Sequence, residues 1–564
     1  ERREGYRYSL EEIAPKIGDL QRAMDKARPR EGMPKPLPDA RIDNLFESGD
    51  RDIFAAQVME TAERVQLYVK LCNLKIPLTI PPAHGKDWQS LADAQESAQR
   101  TAVLAAFQDR GLLPKDFDSL SEETKKQLDE DARSKLSALV HSTPGLLPEL
   151  DLIAAYKSGD AARFSTALAA YRDETATAVN AHVRAKVNFE VFLNTFAPTY
   201  QVIYLYVLAF VLALAGWVAL LFRPTLAAAF RKSAFWLLVL AFGVHGFALF
   251  ARMYLTDRPL VFVTNLYSTA VFIGWAAVGM GLVMERIIPI GLGNLAAAVV
   301  GGATAIVAHN LATSGDTLEM MVAVLDTNFW LATHVTTINL GYAATYVAGV
   351  IGIVYLVLGI FTPVLSESAG VAGVTSQRAT IGRLLGQLMY GVVCLATLLS
   401  FVGTVLGGIW ADYSWGRFWG WDPKENGAVL IVLWNALVLH ARWCGLVKDR
   451  GVAVLTLGGI MITTWSYFGT NQLGVGLHNY GFNNALATGC MVTWMTSLVL
   501  IGMGLIPLKY WRSFASQAAA STVARQESVH ASRSHASTTT EANGRPENNG
   551  HPRQGKRPHQ GKRG

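Results

Sequence analysis

Trp410-Ala411-Asp412-Tyr413-Ser414-Trp415-Gly416-Arg417-Phe418-Trp419-Gly420-Trp421-Asp422-Pro423-Lys424-Glu425-Asn426 sets four tryptophans in twelve residues, interleaved with two glycines and closed by Asp-Pro. On both sides the sequence turns apolar, over roughly 386–409 and 427–444. A helix needs about 20 mostly apolar residues to cross a bilayer, so the stretch reads as a loop between two membrane spans. Counting outward gives seven more candidates, near 199–222, 234–256, 260–284, 287–310, 336–361, 452–470 and 485–507. The expected fold is all-α, a polytopic membrane bundle of about nine spans. The fourth, with Gly301, Gly302 and Ala303, suits close helix packing.

Composition agrees with that reading. The 564 residues are 51% hydrophobic and 17% charged, against about 25% charged for soluble domains. Residues 1–198 hold 27 Lys/Arg and 31 Asp/Glu, residues 199–512 hold 15 and 10, and residues 513–564 hold 8 and 3. The basic balance therefore belongs to membrane loops and tail, which excludes a nucleic-acid-binding reading. Three parts follow: a helical extracytoplasmic domain (1–198), a transmembrane domain (199–512) and a disordered basic tail (513–564). The four cysteines are far apart, so there is no C-x-x-C pair and no C-x-x-C-H haem-attachment site.

Orientation follows from loop charge. One set of loops carries Arg223, Arg231, Lys232, Arg286, Arg378, Arg383, Arg442, Lys448, Arg450, Lys509 and Arg512; the other carries only Arg252, Arg258, Arg417 and Lys424. The first set and the tail are expected in the cytoplasm, and the front domain and the Trp-rich loop outside it. The chain begins with Glu1 and no signal peptide precedes the front domain, so a leader or upstream spans are expected in a longer precursor.

In the front domain, segments near 45–75, 88–110, 119–140 and 147–195 have helical spacing. Ser119-Leu120-Ser121-Glu122 has capping-box form, and Pro-rich stretches at 34–38 and 77–82 separate elements. Phe46-x-Ser48-Gly49-Asp50-x3-Phe54 and Tyr156-x-Ser158-Gly159-Asp160-x3-Phe164 share a pattern of helical-hairpin form. His84, His141 and His182 read as surface residues.

The chemistry concentrates around the tryptophans. An aromatic belt would spread over both interfaces, whereas Trp410, Trp415, Trp419 and Trp421 share one loop, a platform suited to a large planar ligand. His334 precedes the fifth span and His478 follows the eighth, both on the loop's side. Two imidazoles closing over an aromatic platform are what a six-coordinate haem iron requires. Arg417 and Lys424 are the cations placed to pair haem propionates. His245 and His440 lie within spans, where an ionisable group is costly and usually functional; facing inward together, they would form a second haem site. His309 reads as interfacial.

The run Trp415-Gly416-x-x-Trp419-x-Trp421-Asp422-Pro423-Lys424-Glu425 resembles the WWD signature of haem-handling cytochrome c assembly proteins. Asn265-Leu266-Tyr267 is similar to that family's Asn-Leu-Tyr-Glu element, with Ser268 in place of the Glu. His245 sits where CcsA-type members place a membrane histidine. His440-Ala441-Arg442 resembles its His-x-Arg ending, and Gly476-Leu477-His478-Asn479-Tyr480-Gly481 its Gly-Leu-His-Ser-Tyr-Gly segment. The resemblance covers roughly 200–510 and best fits the CcsA (ResC) type, the membrane half of the System II cytochrome c synthase; Asn426-Gly427-Ala428 leans towards the CcmF version.

That resemblance implies a holocytochrome c synthase in a bacterial inner membrane, with haem b as transported substrate and ligand. His245 and His440 would hold the haem in transit, and His334 and His478 would ligate it outside. Trp415, Trp419 and Trp421 would present its vinyl edge to the thiols of an apocytochrome c C-x-x-C-H motif, with Asp422 as an orienting group. Implied partners are a CcsB (ResB)-like protein or upstream region, apocytochrome c, and a thioredoxin-like protein that reduces the thiols. The rivals are a non-catalytic haem chaperone of CcmC/CcmF type and a solute transporter with an aromatic gate.

Overall fold

The computed structural model describes residues 10–27, 53–81, 87–112, 120–220, 222–312, 317–318, 327–367, 380–473, 476, 478 and 484–515. The Pro-rich stretch 34–38, the first half of the repeat pattern up to residue 52, His84, Leu477, residues 479–481 and the tail from 516 lie outside the described residues.

Ahead of the membrane region run α1 (Leu10–Ile13), α2 (Ile17–Ala27), α3 (Ile53–Cys72), α4 (Leu91–Asp109), α5 (Glu122–Ser142), α6 (Leu146–Ser158), α7 (Ala161–Ala178) and α8 (Ala181–Phe196). Caps set their starts: Ser121 Oγ accepts from the Thr124 N–H at 3.3 Å, and Asp160 Oδ1 accepts from the Arg163 N–H at 3.0 Å. The cap of α5 is Ser121; Ser119 lies outside the described residues. Gly159 takes φ +70° to end α6, the turn within the Tyr156–Phe164 pattern. The Pro-rich stretch at 77–82 does more than separate helices. Its β1 (Leu78–Ile80) pairs antiparallel with β2 (Gln89–Ser90), burying Ile80 against Leu91, Ala94 and Leu146.

The membrane region comprises α9 (Pro198–Leu220), α10 (Pro224–Thr256), α11 (Leu266–Ile287), α12 (Leu292–Ala312), α13 (Asn328–Trp330), α14 (Thr336–Phe361), α15 (Ile381–Trp415), α16 (Pro423–Trp443), α17 (Asp449–Thr464) and α18 (Asn484–Leu505). Among the described residues eight helical runs are long and apolar enough to cross a membrane, α8 and α9 together forming the first. The chain is thus an all-α polytopic bundle. The expected seventh span is the helix α16, which is not one of the eight. Lys424, Glu425, Asn435, His440 and Arg442 dilute its apolar character.

Two packed groups build the bundle. Helix α9 packs on α10 and α12, and α11 on α12; α14 packs on α15 and α17, with α16 against α15 and α17. Contacts of α14 with α11 and α12 join the groups, and one continuous core runs through both. Of the small residues named in the fourth span, Gly301 is packed closely, with its Cβ position 2.6 Å from Val278 Cγ2, and Gly302 is buried, whereas Ala303 is exposed. The closest approach is at Gly293, where a Cβ would lie 2.2 Å from the Gly281 carbonyl oxygen, so α11 and α12 touch through backbone. The front unit is tied down through α8, where Lys186 pairs with Asp257 and Phe189 meets Tyr254 at 5.2 Å.

Candidate functional site

Nothing in the sequence stops α15 before Gly416, whose φ of +70° ends the helix. Trp410 and Trp415 therefore stand on its last two turns, and the true loop is only 416–422. Helix α16 then starts on a capping box. Asp422 Oδ1 accepts from the Lys424 N–H at 2.7 Å, and Glu425 Oε2 accepts from the N–H groups of Asp422 at 3.1 Å and Gly420 at 2.7 Å. Pro423 occupies the first turn, where its missing N–H costs nothing. The Trp-rich segment is thus a short turn pinned between two helix ends.

His334 lies in a π-helical turn, Leu331–Val335, that runs straight into α14. Such turns are rare and concentrate at functional sites. Its Nδ1–H donates to the Gly403 carbonyl at 2.8 Å; a carbonyl only accepts, so the proton sits on Nδ1 and Nε2 keeps its lone pair. His478 comes from the segment between α17 and α18. Its Nδ1 stands 3.4 Å from Asp422 Oδ1, its N–H donates to Asp422 Oδ2 at 3.4 Å, and its ring meets Trp415 edge-on at 5.2 Å. Burial pushes the Asp422 carboxyl up, but the facing imidazole and the Lys424 and His478 N–H groups outweigh it and hold it below the usual carboxylate range. Gly476 permits this approach, with φ +94° and a position whose Cβ would lie 2.1 Å from Asp422 Oδ2.

Both histidines line one cavity of about 1020 Å³, part of it open to solvent. Trp410, Trp415, Trp419 and Phe418 line it too, with Lys424, Tyr467, Asn339 and Tyr342 among the polar groups. Lys424 is held by a second π-helical turn, Trp465–Gly469. Its Nζ donates to the Tyr467 carbonyl and lies 4.3 Å from the centre of the Tyr467 ring. Trp410 is 5% exposed, and its Nε1–H has no partner among the described residues. The donor set is two imidazoles, each with Nδ1 turned to a protein oxygen, plus aromatic walls, a lysine and an unpartnered N–H. It fits a planar iron-centred ligand bearing carboxylates.

The remaining expected residues are elsewhere. Trp421 is 75% exposed, stands edge-on to Trp419 at 6.4 Å and has φ +58°, so the tryptophans form walls and an outer rim rather than one platform. Arg417 is exposed and lies over Gly420; of the two expected propionate partners only Lys424 lines the cavity. His245 is buried, with Nδ1 2.7 Å from the Tyr206 hydroxyl. His440 is exposed on α16, its Nδ1 2.7 Å from the Ala436 carbonyl and its ring beside Trp443. The inward-facing pair expected of His245 and His440 is not formed. His309 is exposed against Tyr200.

Sequence reasoning missed Asn339, Tyr342, Phe418 and Tyr467 as lining residues. The signals were present: a polar Asn339 inside a span, and the run Trp465-Ser466-Tyr467-Phe468 at the outer end of another. Ser268 serves the cap of α11. Its Oγ accepts from the Asn265 N–H at 2.9 Å while Asn265 Oδ1 accepts from the Ser268 N–H at 2.9 Å, closing the capping box of α11 that a Glu at that position would close.

Residues 263–478 match the family model described as cytochrome C assembly protein. The "Cytochrome c biogenesis protein CcsA" of Parasynechococcus marenigrum (strain WH8102) is 30% identical over 237 residues, covering 39% of this chain and 77% of that protein. The protein of the same name from Thermosynechococcus vestitus is 32% identical over 252 residues, covering 39% and 78%. That of Synechococcus sp. (strain CC9311) is 31% identical over 242 residues, covering 39% and 79%.

Proposed function

The chain belongs to the CcsA family of cytochrome c biogenesis proteins, and on that premise we propose that its Trp-lined cavity holds haem b for attachment to apocytochrome c. The observation that carries this is the convergence of His334 and His478, from two segments far apart in the sequence, on one aromatic cavity with Lys424. His334 and His478 would offer Nε2 to the two faces of the iron. The Gly403 carbonyl and Asp422, set against the Nδ1 atoms, would orient both rings. Lys424 would pair a propionate and thereby direct the opposite, vinyl edge outward past Trp419 and Trp421.

Haem supplies the electrophilic vinyl carbons. Each cysteine thiol of the C-x-x-C-H motif adds across one vinyl group, forming an S–C and a C–H bond with no net oxidant. The protein's share is positioning, which agrees with a site built of aromatic walls and ligands. On this reading the activity is that of a holocytochrome c synthase, acting with a CcsB (ResB)-like protein and with a thioredoxin-like protein that keeps the thiols reduced. The membrane is the bacterial inner membrane. Residues 1–198 and the site lie on its outer side, residues 199–512 cross it, and the tail 513–564 is cytoplasmic. His245 and His440 remain candidates for haem in transit, in an arrangement that brings His440 inward.

Co-expression with an apocytochrome c and a CcsB-type protein, in a host lacking its own assembly system, tests this. Covalent haem on the apocytochrome is expected. If holocytochrome forms only when further assembly factors are supplied, the chain is a haem chaperone of CcmC/CcmF type.

A further inference from the structure

Helices α14 and α15 run antiparallel and meet through small residues at three successive turns. A Cβ on Gly341 would lie 2.6 Å from Ser400 Oγ; one on Gly403 would lie 2.8 Å from Ile338 Cα. At the third turn, a Cβ on Gly407 would lie 2.5 Å from His334 Cε1, 3.0 Å from Nδ1 and 3.2 Å from Nε2. The register of this contact therefore ends on the π-helical turn that carries His334.

Gly407 and Gly403 are four residues apart, and a helical side chain lies over the turn N-terminal to its own Cα. A side chain at 407 would thus hang over the carbonyl of residue 403. That carbonyl is the one that accepts from His334 Nδ1 at 2.8 Å. The two glycines act as a unit: one supplies the acceptor, the other leaves the space through which the imidazole reaches it.

We infer that Gly403 and Gly407 are positioning residues for His334, fixing its tautomer and ring plane so that Nε2 is the nitrogen left for the iron. This rests on the reading of His334 as a haem ligand. Gly407 lines the cavity at its contact with the imidazole and Gly403 is not among the lining residues; both act on the site through His334. By contrast Gly391, on the same helix, has nothing within 4 Å of its Cβ position and is the matched control.

The test uses the full chain purified with haem b, read by its visible and electron paramagnetic resonance spectra. Wild type and Gly391→Ala are expected to share a low-spin six-coordinate spectrum. Gly407→Ala is expected to shift towards high spin and to retain about tenfold less haem, the scale of a one-methyl overpacking. If Gly407→Ala keeps the wild-type spectrum and haem content while His334→Ala changes them, the inference falls and the ligand reading stands. If His334→Ala itself keeps the wild-type spectrum, both fall.

Should Gly407→Ala not fold, His334→Ala/Gly407→Ala removes the ring that the methyl strikes. Titrating imidazole into that double variant and into His334→Ala, each loaded with haem b, is expected to give about tenfold weaker imidazole binding in the double variant. Equal affinities overturn the inference.

Discussion

Asp422 joins two tasks in one side chain. As the cap of α16 it accepts the Lys424 N–H, and as the anion facing His478 it would make that imidazole a better electron donor to the proposed iron. Asp422→Asn keeps a capping oxygen and removes the charge. Thermal stability should change by less than about 1 kcal/mol, while haem retention falls about ten- to a hundredfold and the midpoint potential rises. A redox titration followed in the visible spectrum separates the two tasks; an unchanged potential would remove Asp422 from the ligand's environment. Trp421 is the opposite case. It is exposed and adopts φ +58°, a conformation costing of order 1 kcal/mol in a non-glycine residue. Trp421→Gly should leave the melting temperature unchanged or raise it, and lower the holocytochrome yield. A full yield would assign the ring no part in presenting the vinyl edge.

At the level of elements, close helix contacts rather than large side chains set the geometry. Gly293→Ala places a methyl 2.2 Å from the Gly281 carbonyl and 2.6 Å from the Glu285 nitrogen, so it should cost about 1–3 kcal/mol in thermal unfolding, against almost nothing for Gly391→Ala. Equal melting temperatures would refute the backbone contact between α11 and α12. The hydropathy pattern made the helices legible, and the tryptophan spacing made the site legible, because both properties are local. What stayed hidden was relational. The extension of α15 to Trp415 depends on where a stop signal first occurs, at Gly416. The π-helical turns under His334 and Lys424 depend on what α15 and α16 present to them. His440 was readable as a costly polar residue, but its facing on α16 is decided by packing against α15 and α17, which a single helix does not encode. Ser268 shows that the capping role can be served by a hydroxyl where a carboxylate was expected.

For the whole molecule, the distribution of Lys and Arg predicts that residues 1–198 and the cavity face one side and the tail the other. Cys72 and Cys444 are free and exposed and report on it without further engineering. In intact spheroplasts a membrane-impermeant maleimide should label Cys72 and should reach Cys444 only after permeabilisation; the reverse pattern would invert the topology. The proposed function requires haem in the cavity lined by His334 and His478, and the visible spectrum of the chain purified from haem-replete cells reads its presence. A Soret band is expected, together with its loss or collapse to a weak high-spin form in the His334→Ala/His478→Ala variant. A colourless wild-type preparation, or a double variant with the wild-type band, would contradict it.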